Sequence, residues 1–143
     1  MEEILNYENR DRLYDFLVNE FGLTKIDEYY DAKHFGNFFI TLSAKDFLLS
    51  YINEKSFLSI NIASKLEPKK GFDLSFVKDL LYNPERINSG DVKNNEERIQ
   101  ELNNFLKKDF EKIAHLFNNN NYFETKKEIQ DLLMNQFKKR NRD

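Results

Sequence analysis

The chain has 143 residues, a formal net charge of −3 and no cysteine. This length is typical of one domain, so we expect a single domain over residues 1–143, with residues 138–143 as a frayed tail. The lack of cysteine excludes disulfides, thiolate catalysis, zinc ribbons and iron–sulfur clusters. Fourteen phenylalanines and seven tyrosines predict a core that is rich in aromatic side chains.

Charge is distributed unevenly along the chain. Residues 1–31 hold nine acids and three bases, whereas residues 106–143 hold nine bases and six acids. Neither end is charged strongly enough to predict a nucleic-acid surface. The first residues, "MEEILNYENR", lack the apolar run of a secretory signal, and no stretch approaches the roughly 18 apolar residues of a membrane span. We therefore expect a cytoplasmic bacterial protein with no membrane partner.

The first half of the chain predicts one helix followed by strands. A helix over residues 8–21 is indicated by the helical spacing of Leu13, Phe16, Leu17 and Phe21 and by the stop at Gly22. Stretches of strand character follow at residues 24–31, 37–43, 46–53 and 56–63. Because short polar links separate the last three, we predict an antiparallel meander.

The alternation of side chains predicts the two faces of this sheet. If Ala44-Lys45 and Glu54-Lys55 are two-residue turns, Leu42 lies opposite Phe47, and Tyr51 lies opposite Leu58. One face then holds nine apolar residues, which we expect to be buried: Phe38, Ile40, Leu42, Phe47, Leu49, Tyr51, Leu58, Ile60 and Ile62. The opposite face receives a mixed set, namely Phe39, Thr41, Leu48, Ser50, Ile52, Phe57, Ser59 and Asn61. Loops of four residues preserve these faces, whereas a slip of one residue exchanges them.

The second half of the chain predicts three helices. Asp73 is a suitable N-cap, with Phe72 and Val77 at the positions of a hydrophobic staple, for a short helix over residues 74–82. Asn94 and Glu97 resemble a capping box for a long helix over residues 95–117. Its apolar stripe is Ile99, Leu102, Leu106, Phe110, Ile113 and Phe117, and after "NNNN" a last helix turns Ile129, Leu132, Leu133 and Phe137 inward. The order α-ββββ-α-α-α is of the α+β class, with helices packed on a four-stranded antiparallel sheet.

The stretch "DEYYDAKHFG" at residues 27–36 is the main candidate for chemistry. Asp27, Glu28 and Asp31 are close in sequence, as the carboxylates of a metal-dependent nuclease or hydrolase are, and "DAK" resembles the acid-x-lysine step of restriction-type nucleases. The rest of that pattern is absent, and Asp27 and Glu28 point to opposite faces of a regular strand. His34 is better explained as an exposed loop residue than as a catalytic base. We therefore predict no catalytic residue, no cofactor and no metal ligand.

Two other features have more than one explanation. The apolar strip of Phe39, Leu48, Ile52 and Phe57 is either covered by a helix or exposed as a protein-binding surface. The basic end "KKRNR" at residues 138–142 is either a contact for nucleic acid or a solvated helix C-terminus, where cations are favoured.

Several segments together resemble a known kind of protein. They are "EYYDAKHFGNFFITLSAKDFLLSYINEKSFLSINIAS", "FDLSFVKDLL", the long helix and "NYFETKKEIQDL", within residues 10–137. They look like small bacterial proteins of the immunity type, which are encoded beside polymorphic or contact-dependent toxins. Such proteins share the "FGN" step into a strand and two terminal helices, but often have a more glycine-rich turn where this chain has "INEKSF". The resemblance implies a binding protein without catalysis, and it transfers no functional residue.

We therefore expect a non-catalytic, immunity-like inhibitor of a cognate bacterial toxin. The alternatives are a metal-dependent nuclease or hydrolase, and a nucleic-acid-associated accessory protein that uses the basic tail. An inhibitor of a basic enzyme needs an acidic surface for fast capture and apolar anchors for slow release. We predict that the polar side of the first helix and residues 27–37 form this surface, with Tyr29 near its centre. The predicted contact residues are Asp11, Asp15, Glu20, Asp27, Glu28, Tyr29, Asp31 and Phe35.

Overall fold

The computed structural model describes residues 10–33, 36–82 and 94–142. Its elements in chain order are α1 (Asp11–Phe21), β1 (Thr24–Asp31), β2 (Asn37–Ser43), β3 (Phe47–Glu54), β4 (Phe57–Ser64), β5 (Phe72–Asp73), α2 (Leu74–Tyr82), α3 (Asn95–Leu116) and α4 (Tyr122–Arg142). The α+β class is confirmed. The helices pack on one face of a single antiparallel sheet, and their apolar side chains share one core with that face.

The sheet has five strands in the order β1-β2-β3-β4-β5, so the prediction of four strands was wrong by one. The additional strand is short, since only Phe72 and Asp73 pair with Ile62 and Asn61 of β4. Two residues are too few to show an alternating pattern, and their sequence predicted a staple and an N-cap instead. Asp73 also serves as that N-cap, because its carboxylate accepts the backbone N–H of Ser75 at 2.9 Å.

The predicted faces of the sheet are confirmed, although the predicted register was wrong. Leu42 pairs with Leu49, and Tyr51 pairs with Ile60. The turns are formed by residues 45–46 and 55–56, one residue later than predicted. Moving a two-residue turn by one position changes the pairing by two residues, which keeps every side chain on its face. All nine apolar residues assigned to the inner face are therefore buried.

The position of the second turn is explained by contacts that are distant in sequence. Lys55 and Ser56 have φ angles of 51° and 66°, the left-handed region that type I′ turns require. Asn37 accepts the backbone N–H of Lys55 at 2.8 Å, and the side-chain amide of Asn95 donates to the carbonyl of Ser56. These bonds stabilise a turn whose two central residues are neither glycine nor asparagine.

Helix α1 begins within the predicted segment and ends where predicted. Residues 8 and 9 of the prediction lie outside the described residues. Gly22 has a φ of 71° at the C-cap, and the N–H of Leu23 donates to the carbonyl of Leu17 at 3.1 Å. Leu13, Tyr14 and Leu17 are buried against the sheet and α3. The expected amphipathic helix with a glycine stop is thus confirmed over Asp11–Phe21.

The predicted capping box of α3 is present. Asn94 accepts the N–H of Glu97 at 2.8 Å, and its amide donates to the Glu97 carboxylate at 3.2 Å. Five residues of the predicted stripe are buried and the sixth, Phe110, is half-buried. The helix is kinked at Asp109, which the sequence did not predict; this buried carboxylate accepts the hydroxyl of Tyr82. In α4, Ile129 and Leu132 are buried, and the Phe137 side chain lies outside the described residues.

Candidate protein-binding surface

One face of the sheet carries no helix within the described part of the chain. We call it the outer face. Its outward positions are Thr24, Asp27, Tyr29 and Asp31 of β1, Asn37, Phe39, Thr41 and Ser43 of β2, Leu48, Ser50, Ile52 and Glu54 of β3, Phe57, Ser59, Asn61 and Ala63 of β4, and Asp73 of β5. The strip of Phe39, Leu48, Ile52 and Phe57 lies outside the core that the helices build on the inner face. No described helix covers Phe39, Leu48 or Ile52, whereas Arg98 of α3 lies over the ring of Phe57.

The centre of the outer face is an apolar row that crosses three strands. The pairing places Tyr29, Phe39 and Ile52 side by side on β1, β2 and β3. The rings of Tyr29 and Phe39 are stacked, with centroids 5.5 Å apart and an interplanar angle of 19°. Tyr29 is 49 % exposed, and the other two side chains are half-buried. We call these three residues the apolar row.

Polar side chains border the apolar row on both sides. Asp27, Thr41 and Ser50 lie side by side on the strands toward one end of the sheet, and the hydroxyls of Thr41 and Ser50 are 2.9 Å apart. On the other side, Asp31 is paired with Asn37, and Glu54 follows on β3. An apolar centre with a polar border is the arrangement found in protein interfaces.

All charged residues at the outward positions of the five described strands are acidic. They are Asp27, Asp31, Glu54 and Asp73. Asp73 caps the N-terminus of α2, and the other three lie on β1 and β3 around the apolar row. The charge at these outward strand positions is therefore negative.

Asp31 forms a hydrogen bond with Tyr29, the tyrosine of the apolar row. The Tyr29 hydroxyl donates to the Asp31 carboxylate at 3.3 Å, and the backbone N–H of Lys33 donates to the same carboxylate at 3.0 Å. The negative charge of Asp31 raises the pKa of Tyr29 above its usual value. The phenol consequently remains a neutral donor at physiological pH, next to a carboxylate.

Four other predicted contact residues do not lie on the outer face with Tyr29. Glu28 is turned toward the inner side of β1, where it is paired with Arg10 and lies 3.5 Å from the Lys25 ammonium. The hydrogen bond from Arg10 is the main reason that the pKa of Glu28 is lowered. The predicted acids of α1, which are Asp11, Asp15 and Glu20, are exposed on that helix, and α1 packs on the inner face. Phe35 and His34 lie outside the described residues.

The carboxylates of the predicted metal cluster do not converge. Asp27 lies opposite Thr41 and Glu28 opposite Ile40, so the two side chains are on different faces of β1. The Asp27 carboxylate accepts the N–H of Glu28 at 2.9 Å. Within the ranges that the structure describes, no three acids or histidines are grouped so that they could hold a metal ion. The basic side chains of residues 138–142 lie outside the described side chains.

The sequence did not predict the contacts that close the free edge of β4. Asn95 accepts the N–H of Leu58 at 3.3 Å, and the Arg98 guanidinium donates to the carbonyl of the same residue. Arg98 also lies over the ring of Phe57, 4.2 Å from its centroid. The start of α3 thus satisfies strand groups that β5 is too short to reach. The capping box gave the position of these residues on the helix, but no local pattern indicated that they contact β4.

No helix in the described ranges is long and apolar enough to cross a membrane. Comparison with known proteins gives no relative: no protein-family model, no curated protein and no solved structure matches this chain.

Proposed function

We propose that this chain is a non-catalytic binding protein, an immunity-like inhibitor of a cognate bacterial toxin. The observation that carries the proposal is the outer face, on which the apolar row is left without a covering helix among the described residues. Exposed apolar patches with polar borders are typical of protein-binding sites. Tyr29 combines a large apolar ring with a polar tip, which is the character of an interface anchor.

The charge of the outer face supports a cationic target. Asp27, Asp31 and Glu54 surround the apolar row, and no outward strand residue brings a compensating base. Acidic inhibitors of basic enzymes associate rapidly because the opposite fields steer the encounter. A toxin that acts on nucleic acid has such a basic surface, so its inhibition by this face is physically consistent.

The positions of the acids also support binding over catalysis. Asp27 and Glu28 lie on opposite faces, and the Glu28 carboxylate is paired with Arg10. A metal-dependent hydrolase would need these groups to converge on one ion. In this arrangement Glu28 contributes to the attachment of α1, whereas Asp27 contributes to the field of the outer face.

The test is co-expression of the chain with the product of a toxin-like gene next to its own gene. We expect the two proteins to co-purify as a stoichiometric complex, and we expect the toxin activity to be suppressed. Tyr29→Ala should increase the dissociation rate about tenfold or more, as truncation of an interface anchor does. Met134→Ala is the matched control, because Met134 is 55 % exposed on α4, in the helical layer.

Two outcomes would contradict the proposal. If the neighbouring gene product neither binds nor loses activity, the chain is not its inhibitor. If deletion of residues 138–143 abolishes binding while Tyr29→Ala leaves it intact, the basic tail and not the outer face is the contact surface.

A further inference from the structure

The outer face restricts the kind of segment that can bind to it. This inference rests on the proposed function and specifies the contacting element of the partner. An extended segment laid on the face of a sheet has no strand edge to pair with, so its backbone N–H and C=O groups lose their hydrogen bonds to water without replacement. An α-helix satisfies its backbone internally. The inner face of this sheet already packs against helices.

The spacing along β1 matches the repeat of a helix that is aligned with the strands. Asp27 and Asp31 each lie two residues from Tyr29 on the same strand, which places them roughly 7 Å before and after it. Residues four apart on a helix are separated by roughly 6 Å along the axis. A helix residue over the apolar row therefore has its neighbours, one turn away on each side, next to the two carboxylates.

The width of the apolar row also suits one helix. From Tyr29 to Ile52 the row crosses two strand spacings, roughly 10 Å, and a helix with its side chains is about 10–12 Å across. On β4 the row ends at Ser59, and two residues away on the same strand the Arg98 guanidinium lies over Phe57, which is paired with Glu54. This cation borders the acidic half of the face, which comprises β1, β2 and β3.

We propose that the outer face binds one amphipathic α-helix of a cationic protein partner. The apolar residues at the middle of this helix pack on Tyr29, Phe39 and Ile52. Lysine or arginine side chains one turn before and one turn after the central apolar residue lie beside Asp27 and Asp31, and Glu54 extends the acidic border on β3. A second copy of this chain is a poor occupant, because its own outer face presents acids to acids.

A set of three peptides of about 18 residues tests this geometry; shorter isolated helices are marginal in water. The first is alanine-rich, with leucines grouped at its centre on one side of the helix and lysines on the same side, one turn before and one turn after that group. The second has the same composition with the lysines moved to the opposite side of the helix. The third has glutamate in place of lysine. We expect the first to bind most tightly, and we expect its advantage over the second to shrink at high salt.

Matched variants of the protein locate the binding face. Ile52→Ser should weaken binding of the first peptide about tenfold, whereas Met134→Ser on α4 should leave it unchanged. The pair Asp27→Asn and Glu54→Gln should weaken it about threefold or more at low salt. Their control is Glu128→Gln with Asp131→Asn, which removes two exposed acids of α4. Thermal melting of each variant establishes that the fold is retained, and amide chemical shifts show which strands the peptide contacts.

Three results would overturn the proposal: equal binding of the first two peptides, peptide-induced shifts confined to the helical layer, or a concentration-dependent dimer that buries the outer face. These results differ from failure of the proposed function. If the neighbouring toxin binds but the peptides do not, the inhibitor function stands and the helix is the wrong occupant. If the peptides bind and the toxin does not, the docking site stands and the inhibitor function is wrong.

Discussion

The two faces of one sheet have different surroundings, and two adjacent leucines of β3 show the difference. Leu49 is fully buried in the core with the helices, whereas Leu48 is half-buried on the outer face. The residue type, the strand and the local backbone are the same, so only the layer above each side chain differs. The comparison indicates that the inner face builds the core with the helices and that no described helix adds to the burial of Leu48 on the outer face.

The largest effect should come from truncating the inner face. Leu49→Ala or Ile60→Ala should lower the free energy of unfolding by about 2–5 kcal/mol, because both side chains are fully buried and a cavity remains. Leu48→Ala should cost clearly less, since part of its surface is already in water. Chemical denaturation of the three variants measures this. Equal losses for the two leucines would mean that the outer face is covered as well.

A smaller loss of stability is expected when the hydroxyl of Tyr51, on the inner face, is removed. The hydroxyl of Tyr51 donates to Asn103 at 2.7 Å, and the Asn103 amide donates to the Leu13 carbonyl at 3.0 Å, which joins the sheet to α3 and α1. Burial raises the pKa of Tyr51, so this hydroxyl remains protonated in the folded protein. Tyr51→Phe should cost about 1–2 kcal/mol, because the Asn103 oxygen loses a buried donor.

Tyr29→Phe is the control for that change. The Tyr29 hydroxyl is on the outer face and contacts Asp31 at 3.3 Å in an exposed position, so its loss should leave the free energy of unfolding nearly unchanged. If Tyr29→Phe destabilised the fold as much as Tyr51→Phe, the hydroxyls on the two faces would contribute equally to stability. The expected difference between the two faces would then be wrong.

Variants in the turn between β3 and β4 test the observed pairing of these two strands. Lys55 and Ser56 both have positive φ, which is strained for residues with a side chain. Replacing them by asparagine and glycine should raise the free energy of unfolding by about 1 kcal/mol, since these residues favour the turn. The same pair placed at Glu54 and Lys55, the turn predicted from the sequence, should not stabilise the fold. Stabilisation by the second variant and not the first would contradict the observed register.

These comparisons show what could be predicted from the sequence. The period of two assigned the nine predicted inner-face residues of β2, β3 and β4 correctly, because a shift of two residues in pairing does not alter a side chain's face. The register could not be predicted, since the turn position depends on Asn37 and Asn95, which are distant from Lys55 and Ser56 in sequence. The strand Phe72–Asp73 was missed because two residues have no measurable period.

The candidate surface was predictable only in part. Sequence alone identified the mixed face and Tyr29, but it could not show whether a helix covers that face. It also grouped Glu28 with Asp27 because they are neighbours in the chain. Strand geometry places them on opposite faces, and the pairing of Glu28 with Arg10 depends on where α1 packs. Tertiary packing therefore decides which acids belong to the surface.

The smallest changes in stability are expected from neutralising Glu28 and Asp27, and these two changes should differ from each other. Glu28→Gln removes the charge that Arg10 pairs with and should cost less than about 1 kcal/mol at pH 7, as partly exposed ion pairs do. Asp27→Asn should change the free energy of unfolding by no more than about 0.5 kcal/mol, because among the described residues its carboxylate accepts one hydrogen bond, from the adjacent backbone N–H of Glu28. Asp27→Asn should instead slow association with a cationic partner, and more so at low salt.

The pH dependence gives an independent measurement for Glu28. Arg10 holds its folded pKa below the ordinary value of 4.5, so its ionised form stabilises the fold fully above that value. This contribution is lost as the pH falls from 4.5 through the lowered folded pKa, since the carboxylate then binds a proton in the folded state too. In Glu28→Gln the loss of stability in this acid range should be shallower, which denaturation between neutral and acidic pH measures. An unchanged acid slope in this variant, or a cost of Asp27→Asn equal to that of Glu28→Gln, would mean that the two acids are not divided between structure and surface as their faces indicate.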